Sequence, residues 1–145
     1  MIVSTKGRYA LRVMADLAEH GSGSYIPLKE ICERQDISKK YLESIVGILS
    51  KAGLVEGASG KGGGYRLTKR PEEYHLDEIL TLTEGSLAPV ACTRKDAEPC
   101  SHADSCCTLP VWVGLSEVIQ AYLNKITLKD LVQNGNEHSH KEAES

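Results

Sequence analysis

The sequence feature that most constrains the fold is a pair of helical patterns joined by a tight turn, in residues 27–53. The first pattern starts after Pro27 and ends near Gln35; the second starts after Ser38, a good capping residue type, and ends at Gly53. Four apolar residues of the second pattern recur at intervals of three and four and share one helix face: Leu42, Ile45, Val46 and Leu49. A short helix followed by a longer, one-sided helix predicts a helix-turn-helix unit.

A glycine-rich segment follows this unit and predicts a β-hairpin. Residues 54–57 and 65–68 have the composition of short strands, and four of the seven residues between them are glycine. Glycine lowers the steric cost of close backbone approach, Lys61 adds a positive charge at the tip, and Arg66, Lys69 and Arg70 add cations near the base. These glycines and cations predict a wing that contacts nucleic acid. The GxxxxGK(S/T) pattern of a phosphate-binding loop is absent, which excludes nucleotide binding.

The charge of the chain is divided unequally between its two halves. The net charge is −3, but residues 1–70 carry a net +5 and residues 71–145 a net −8. Such asymmetry indicates a basic module that faces a polyanion, joined to a solvated, self-associating segment. Aromatic residues make up 5% of the chain and phenylalanine is absent, so we expect an aliphatic core and helix-on-helix packing. The predicted fold class is mainly α with a small β-hairpin wing: a winged helix-turn-helix plus a long C-terminal dimerisation helix.

Helical spacing elsewhere predicts three further helices. An amphipathic helix runs from Thr5 to His20, a short helix runs from Leu76 to near Gly85, and a long helix follows Pro110. The apolar stripe of the long helix makes it the predicted dimerisation element, and its residues are Val111, Leu115, Val118, Tyr122, Leu123 and Ile126.

These elements predict four segments. Residues 1–85 form a winged helix-turn-helix DNA-binding domain, and residues 86–108 form a cysteine-bearing, cluster-binding loop. Residues 109–133 form the dimerisation helix and a short terminal helix capped by Thr127 and Asp130, and residues 134–145 form a disordered tail. No secretory h-region and no run of about 18 apolar residues occurs, so we expect a cytoplasmic protein without a membrane segment.

The exposed side of the second helix of the helix-turn-helix unit is the predicted reading surface for double-stranded DNA. Its polar residues crowd the N-terminal half, where a major-groove helix contacts base edges. Glu43 has two open interpretations, because it can accept a hydrogen bond from cytosine or pair with Lys39 or Lys40. At the start of the first helix, backbone N–H groups and nearby cations predict a phosphate seat, with plain solvated charge as the alternative. The predicted DNA-contacting residues are Thr5, Lys6 and Arg8; Ser38, Lys39, Lys40, Tyr41, Glu43 and Ser44; and Ser59, Gly60, Lys61 and Gly62.

Four of the five cysteines lie between residues 88 and 110, in a segment with few bulky apolar side chains. A metal or cluster would supply the cross-links that such a segment lacks, and thiolates select iron–sulfur clusters or zinc. Zinc is disfavoured because no CxxC pair is present, and free thiols in a flexible loop are the remaining alternative. Cys32, outside this segment, is interpreted as a buried structural thiol. No nucleophile is paired with a base, so we predict no enzymatic activity.

The chain resembles the Rrf2 family of bacterial regulators, most of all its iron–sulfur cluster regulators. The resemblance is carried by Ser4-Thr-Lys-Gly-Arg-Tyr-Ala10, Ile37-Ser-x-x-Tyr-Leu-Glu43, Gly53-Leu-Val55, Gly60-Lys-Gly-Gly-Gly-Tyr65 and Ile126-Thr-Leu-x-x-Leu-Val132. It implies a homodimer that binds palindromic operators and controls iron–sulfur cluster biogenesis genes. It also implies a [2Fe-2S] cluster, delivered by the iron–sulfur assembly machinery and held by three cysteines that match Cys92, Cys100 and Cys106.

Two departures from that subgroup leave alternatives open. The histidine that serves there as fourth ligand aligns with Leu109, so the fourth ligand here is Cys107, His102 or Asp104. The cysteine spacing, C-x7-C-x5-C, also lies near that of the nitric-oxide-sensing relatives, which carry a [4Fe-4S] cluster. A third alternative is a cysteine-metabolism regulator of the same family, which responds to a partner protein.

Overall fold

The computed structural model describes residues 3–98, 101, 102 and 104–135. The α-helices are α1 (Thr5–His20), α2 (Leu28–Gln35), α3 (Lys39–Lys51), α4 (Leu76–Glu84), α5 (Leu109–Lys125) and α6, at residues 128–135. Two strands, β1 (Val55–Ala58) and β2 (Gly64–Leu67), and two 3-10 turns, Pro71–Glu73 and Ala91–Thr93, complete the described structure. The mainly helical fold class with one β-hairpin is confirmed.

An aliphatic core holds α1, α2 and α3 together, as the composition predicts. The apolar face of α3 is fully buried, and it packs with Val13, Leu17 and Ile31 from the other two helices. One tyrosine joins this core: the Tyr74 hydroxyl donates to the Leu54 carbonyl at 2.7 Å and accepts the Thr68 and Lys69 N–H groups, at 2.9 and 3.0 Å. This completely buried side chain therefore attaches the base of the wing to the segment that leads into α4.

The wing is a two-stranded antiparallel hairpin. Val55 pairs with Leu67 and Ala58 pairs with Gly64, so both strands differ by one residue from the predicted bounds of 54–57 and 65–68. Tyr65 also forms an isolated bridge with Ile26, with N–H···O distances of 2.8 and 2.9 Å. The pairing of Ile26 with the hairpin was not predicted, because a single residue between two loops carries no periodic pattern.

Helix α5 lies against α4, and Thr127, which follows α5, forms an isolated bridge with His75, just before α4. The predicted cap is present: Thr127 N–H donates to the Asp130 carboxylate at 2.9 Å, and Asp130 N–H donates to the Thr127 hydroxyl at 3.2 Å. The prediction that residue 134 begins a disordered tail is wrong for 134 and 135, because α6 continues through both of them. The rest of the predicted tail, 136–145, lies outside the described residues.

Candidate nucleic-acid interface and cysteine segment

The N-terminal half of α3 presents its polar side chains to solvent. Ser38 caps the helix through a hydrogen bond from the Tyr41 N–H at 3.2 Å, as predicted. Lys39, Lys40, Glu43 and Ser44 are all exposed. The Lys39 Nζ lies 4.0 Å from the Glu43 Oε1, so the ion pair that the sequence left open is formed. An exposed pair of this kind contributes at most about 1 kcal/mol, which leaves both groups available to a DNA ligand.

Tyr41 is half-buried and joins α3 to α1. Its ring meets the Tyr9 ring edge-on, with centroids 5.7 Å apart. The Arg12 guanidinium lies 4.9 Å from the centroid of Tyr9, so a cation stacks on the same aromatic pair. These ring contacts hold α3 against α1.

A buried carboxylate pairs with the end of α2, just before the turn into α3. Asp16 is 1% exposed, and its carboxylate accepts two hydrogen bonds from Arg34, at 2.9 and 2.8 Å, and one from Gln35 at 2.9 Å. The hydrogen bonds to Asp16 raise the pKa of Arg34. Next in the chain, Asp36 adopts the left-handed conformation with φ 52°, and α3 starts three residues later. Sequence reasoning missed this pairing; the available signal was a carboxylate directly before Leu17 in the apolar stripe of α1.

The first turn of α1 carries three predicted phosphate contacts. Thr5 and Arg8 are exposed, with Arg8 Nη2 donating to the Thr5 hydroxyl at 3.2 Å, and Lys6 is half-buried. Ser4 caps the helix by accepting the Gly7 N–H at 3.1 Å. The Ser4 N–H is itself bound to Glu84, 3.1 Å away, so part of the predicted phosphate seat already holds a carboxylate of this chain.

The tip of the wing is exposed along residues 59–62. Gly60 and Gly62 have φ of 85° and 79°, in the left-handed region that glycine adopts most readily, and Lys61 lies between them. A cleft of about 690 Å³ separates this tip from the helix-turn-helix unit, and its lining includes Lys29, Cys32, Lys39, Glu43 and Gly60. The structure thus places three predicted contacts, Lys39 and Glu43 of α3 and Gly60 of the wing, on the two sides of one cleft.

Two of the cations near the wing base are engaged within the chain. Arg66 Nε lies 2.6 Å from the Glu56 carboxylate, its Nη1 donates to the Gly23 carbonyl at 3.2 Å, and its guanidinium stacks 4.4 Å from the Tyr25 ring centroid. The hydrogen bond to Glu56 raises the pKa of Arg66. Lys69 pairs with a carboxylate of α4 at 3.7 Å. Arg66 therefore fastens the wing to the loop between α1 and α2.

Two of the three described thiols of the cysteine segment are exposed. Cys92 is exposed in the turn Ala91–Thr93, Cys107 is exposed, and Cys106 is half-buried, with its Sγ 3.3 Å from the Thr108 hydroxyl. The Thr108 hydroxyl and the N–H groups at the start of α5 lower the pKa of Cys106, which favours the thiolate that metals bind. His102 and Asp104 are exposed as well.

The described donors are not gathered into one metal site. Cys100 lies outside the described residues, and within the ranges that are described, no three His, Cys, Asp or Glu side chains are grouped closely enough to hold a metal ion. The donor chemistry nevertheless fits a cluster, because Cys92, Cys106 and Cys107 are free thiols in a segment with little apolar packing. Cys32 is half-buried against the core, in keeping with a structural role.

The fold and its exposed cleft define a winged helix-turn-helix DNA-binding protein. The Rrf2 family model, described as an iron-dependent transcriptional regulator, matches residues 3–134. The chain belongs to the Rrf2 family of transcriptional regulators. None of its described helices combines the length and the apolar character needed to cross a bilayer.

Relatives with solved structures or curated names agree with this assignment. The HTH-type transcriptional regulator IscR of Serratia proteamaculans (strain 568) is 42% identical over 134 residues, 92% of this chain and 80% of that protein. The structure of T. potens IscR matches with a TM-score of 0.74 and 35% identity, covering 95% of this chain and 90% of that one. The structure of CymR, the global cysteine regulator of B. subtilis, matches with a TM-score of 0.76 and 32% identity, covering 92% and 98%.

Proposed function

We propose that this IscR-like regulator binds double-stranded DNA as a homodimer and responds to an iron–sulfur cluster held by its cysteine segment. The observation that carries the proposal is the cleft between α3 and the wing, which places Lys39 and Glu43 of α3 opposite the glycine-rich tip that carries the exposed Lys61. We propose no enzymatic role. Because its target is chromosomal DNA of a bacterium, we place its action in the cytoplasm.

Each DNA-contacting element has a distinct role in this proposal. The start of α3 enters the major groove, where Lys40 and Ser44 reach phosphates or bases and Glu43 accepts from cytosine once DNA displaces Lys39. The wing tip around Lys61 lies in the flanking minor groove, and the first turn of α1 contacts the phosphate backbone.

The exposed face of α5 supports a dimer. Five large apolar residues of this helix stay exposed in the isolated chain. One is Val113; the other four are spaced by four, three and four and share one face: Val111, Leu115, Val118 and Tyr122. Val118 is 64% exposed and Tyr122 is 57% exposed, although both are large apolar side chains. This spacing is that of a two-helix seam, so the face suits α5 of a second copy. A two-fold dimer presents two reading helices to a palindromic operator.

The proposed ligands are Cys92, Cys100 and Cys106, with Cys107, His102 or Asp104 completing the set. The relation to IscR and the lowered pKa of Cys106 support an iron–sulfur cluster; we propose [2Fe-2S], with [4Fe-4S] as the alternative. When bound, the cluster supplies a redox-sensitive and iron-sensitive cross-link of the segment. Its source would be the iron–sulfur assembly machinery, and the regulated genes would be those of cluster biogenesis.

Anaerobic purification tests the cluster directly. We expect visible absorption, with two iron and two sulfide per chain for [2Fe-2S] or four of each for [4Fe-4S]. Cys92→Ala should abolish loading, whereas Cys32→Ala, a cysteine outside the segment, should retain it. Cys107→Ala, His102→Ala and Asp104→Ala then identify the fourth ligand. Protein without iron or sulfide in all preparations would contradict the proposal and favour a regulator controlled by a partner protein.

DNA binding by loaded and cluster-free protein tests the regulatory part. We expect electrophoretic shifts on palindromic duplexes to differ between the two forms. Identical binding to every duplex would contradict a role of the cluster as the signal.

A further inference from the structure

Glu84 connects the start of α1 with the start of the cysteine segment. It is the last residue of α4, and Gly85, which ends that helix with φ 78°, leads into the cysteine segment. Its Oε1 accepts the Ser4 hydroxyl at 2.6 Å and the Ser4 N–H at 3.1 Å, across 80 residues of sequence. The carboxylate thus lies at the positive end of the α1 dipole, where a negative charge is favourable.

Gly7 makes this contact possible. It is buried in the first turn of α1, facing the end of α4. A Cβ at this position would overlap the Glu84 Oε1 and would lie 3.1 Å from the Thr83 Oγ1 and 3.3 Å from the Leu80 Cδ2. The absence of a side chain therefore lets the carboxylate reach the helix cap.

Glu84 lies between the proposed phosphate-contacting turn of α1 and the proposed cluster-binding segment. On one side, Ser4 directly precedes Thr5, and Lys6 and Arg8 follow in the same turn. On the other side, Glu84 borders a cavity of about 290 Å³ whose lining includes Val90, Ala91 and Arg94, next to Cys92. A displacement at the start of the cysteine segment can therefore reach the first turn of α1 through the chain at Gly85 and the hydrogen bonds between Glu84 and Ser4.

We propose that Glu84 is a positioning residue that holds the first turn of α1 in its DNA-binding orientation and ties it to the cysteine segment. The proposal rests on the proposed function for the DNA contacts of α1 and for the cluster. Without the hydrogen bonds from Ser4 to Glu84, the first turn of α1 moves independently of the cysteine segment. The turn then binds phosphate less tightly, and a structural change in the cysteine segment no longer alters its position.

Three variants of the full-length dimer separate this role from simple loss of charge. Glu84→Ala removes the acceptor, Glu84→Gln keeps an acceptor oxygen of the same reach, and Gly7→Ala pushes the flexible Glu84 side chain away from Ser4. Glu78→Ala is the matched control, because Glu78 is an acid of the same helix that pairs with Lys69 instead.

The first measurement is hydrogen exchange in cluster-free protein, which needs neither DNA nor a cluster. We expect faster exchange across residues 3–8 in Glu84→Ala and Gly7→Ala, and wild-type exchange in Glu84→Gln and Glu78→Ala. The second measurement is the Kd for a labelled duplex that wild-type protein selects from a random-sequence pool. Glu84→Ala and Gly7→Ala should each weaken binding by about 2-fold to 30-fold, with Glu84→Gln restoring most of the affinity.

The third measurement compares the Kd of cluster-loaded and cluster-free protein. The ratio of the two should move towards one in Glu84→Ala and Gly7→Ala, and the double variant should add nothing further. Unchanged exchange, unchanged affinity, or an equal loss of affinity in Glu78→Ala overturns the proposal. If cluster-loaded and cluster-free wild-type protein have the same Kd, the proposed role of the cluster is wrong. Hydrogen exchange and the Kd of cluster-free protein then still decide whether Glu84 positions α1.

Discussion

Removing the buried carboxylate of Asp16 should be among the most destabilising single changes in the DNA-binding domain. Asp16→Ala deletes three hydrogen bonds, two of them from Arg34, and leaves that guanidinium with one weaker carboxylate contact, to Glu30 at 3.6 Å. Breaking a fully buried pair costs about 3–5 kcal/mol when one charge stays uncompensated. Because the Arg34 side chain is 32% exposed and keeps Glu30, we expect the lower end, about 3 kcal/mol.

Urea unfolding followed by circular dichroism measures this loss. With an m-value of about 1.5–3 kcal/mol/M for a chain of this size, the midpoint should fall by about 1–2 M. Protein concentration must be equal in all samples, because dimerisation contributes to the measured stability. Glu19→Ala, an exposed acid on the same helix, is the control and should change the free energy of unfolding by less than about 0.5 kcal/mol.

A double variant tests the physical reason. Arg34→Met in the Asp16→Ala background removes the uncompensated charge and should recover part of the lost stability, because the methionine stem fills similar space. An Asp16→Ala variant as stable as Glu19→Ala would refute the reasoning, as would a double variant that loses the full sum of both single changes.

Three further predictions concern the wing and the terminal helix. Arg66→Ala should weaken DNA binding by releasing the wing from Gly23 and Tyr25, whereas Glu56→Ala should not, because it removes only the cross-strand ion pair; an equal loss in Glu56→Ala would contradict this role of Arg66. Lys61→Ala should lower the slope of log K against log salt concentration by about 0.9, the contribution of one phosphate contact, and an unchanged slope would remove Lys61 from the interface. Hydrogen bonds from Thr127 lower the pKa of Asp130. The Asp130 carboxylate therefore stabilises the fold at a pH above its ordinary pKa, and this stabilisation is lost as the pH falls through the folded-state pKa. Asp130→Asn should therefore be less stable than wild type at neutral pH and equally stable in acid, as thermal unfolding across pH would show.

Local patterns accounted for most of the secondary structure. The bounds of α1, the cap of α3 by Ser38 and the reciprocal Thr127–Asp130 bonds follow from residues within one or two helical turns. The exposed face of α3 was predictable for the same reason, since burying one side of a helix defines the other side. The candidate ligand set stays a prediction, because Cys100 lies outside the described residues.

The sequence by itself determined the element types, the aliphatic core and the identity of the exposed polar residues, because helical periodicity, capping and composition are local properties. Only the tertiary structure decided which groups meet over long separations: Asp16 with Arg34, Ile26 with Tyr65, and Glu84 with Ser4. These contacts depend on how rigid helices and the hairpin pack, and no local pattern records that packing. The winged fold was therefore predictable from the sequence alone, whereas the contact between Glu84 and Ser4 was not.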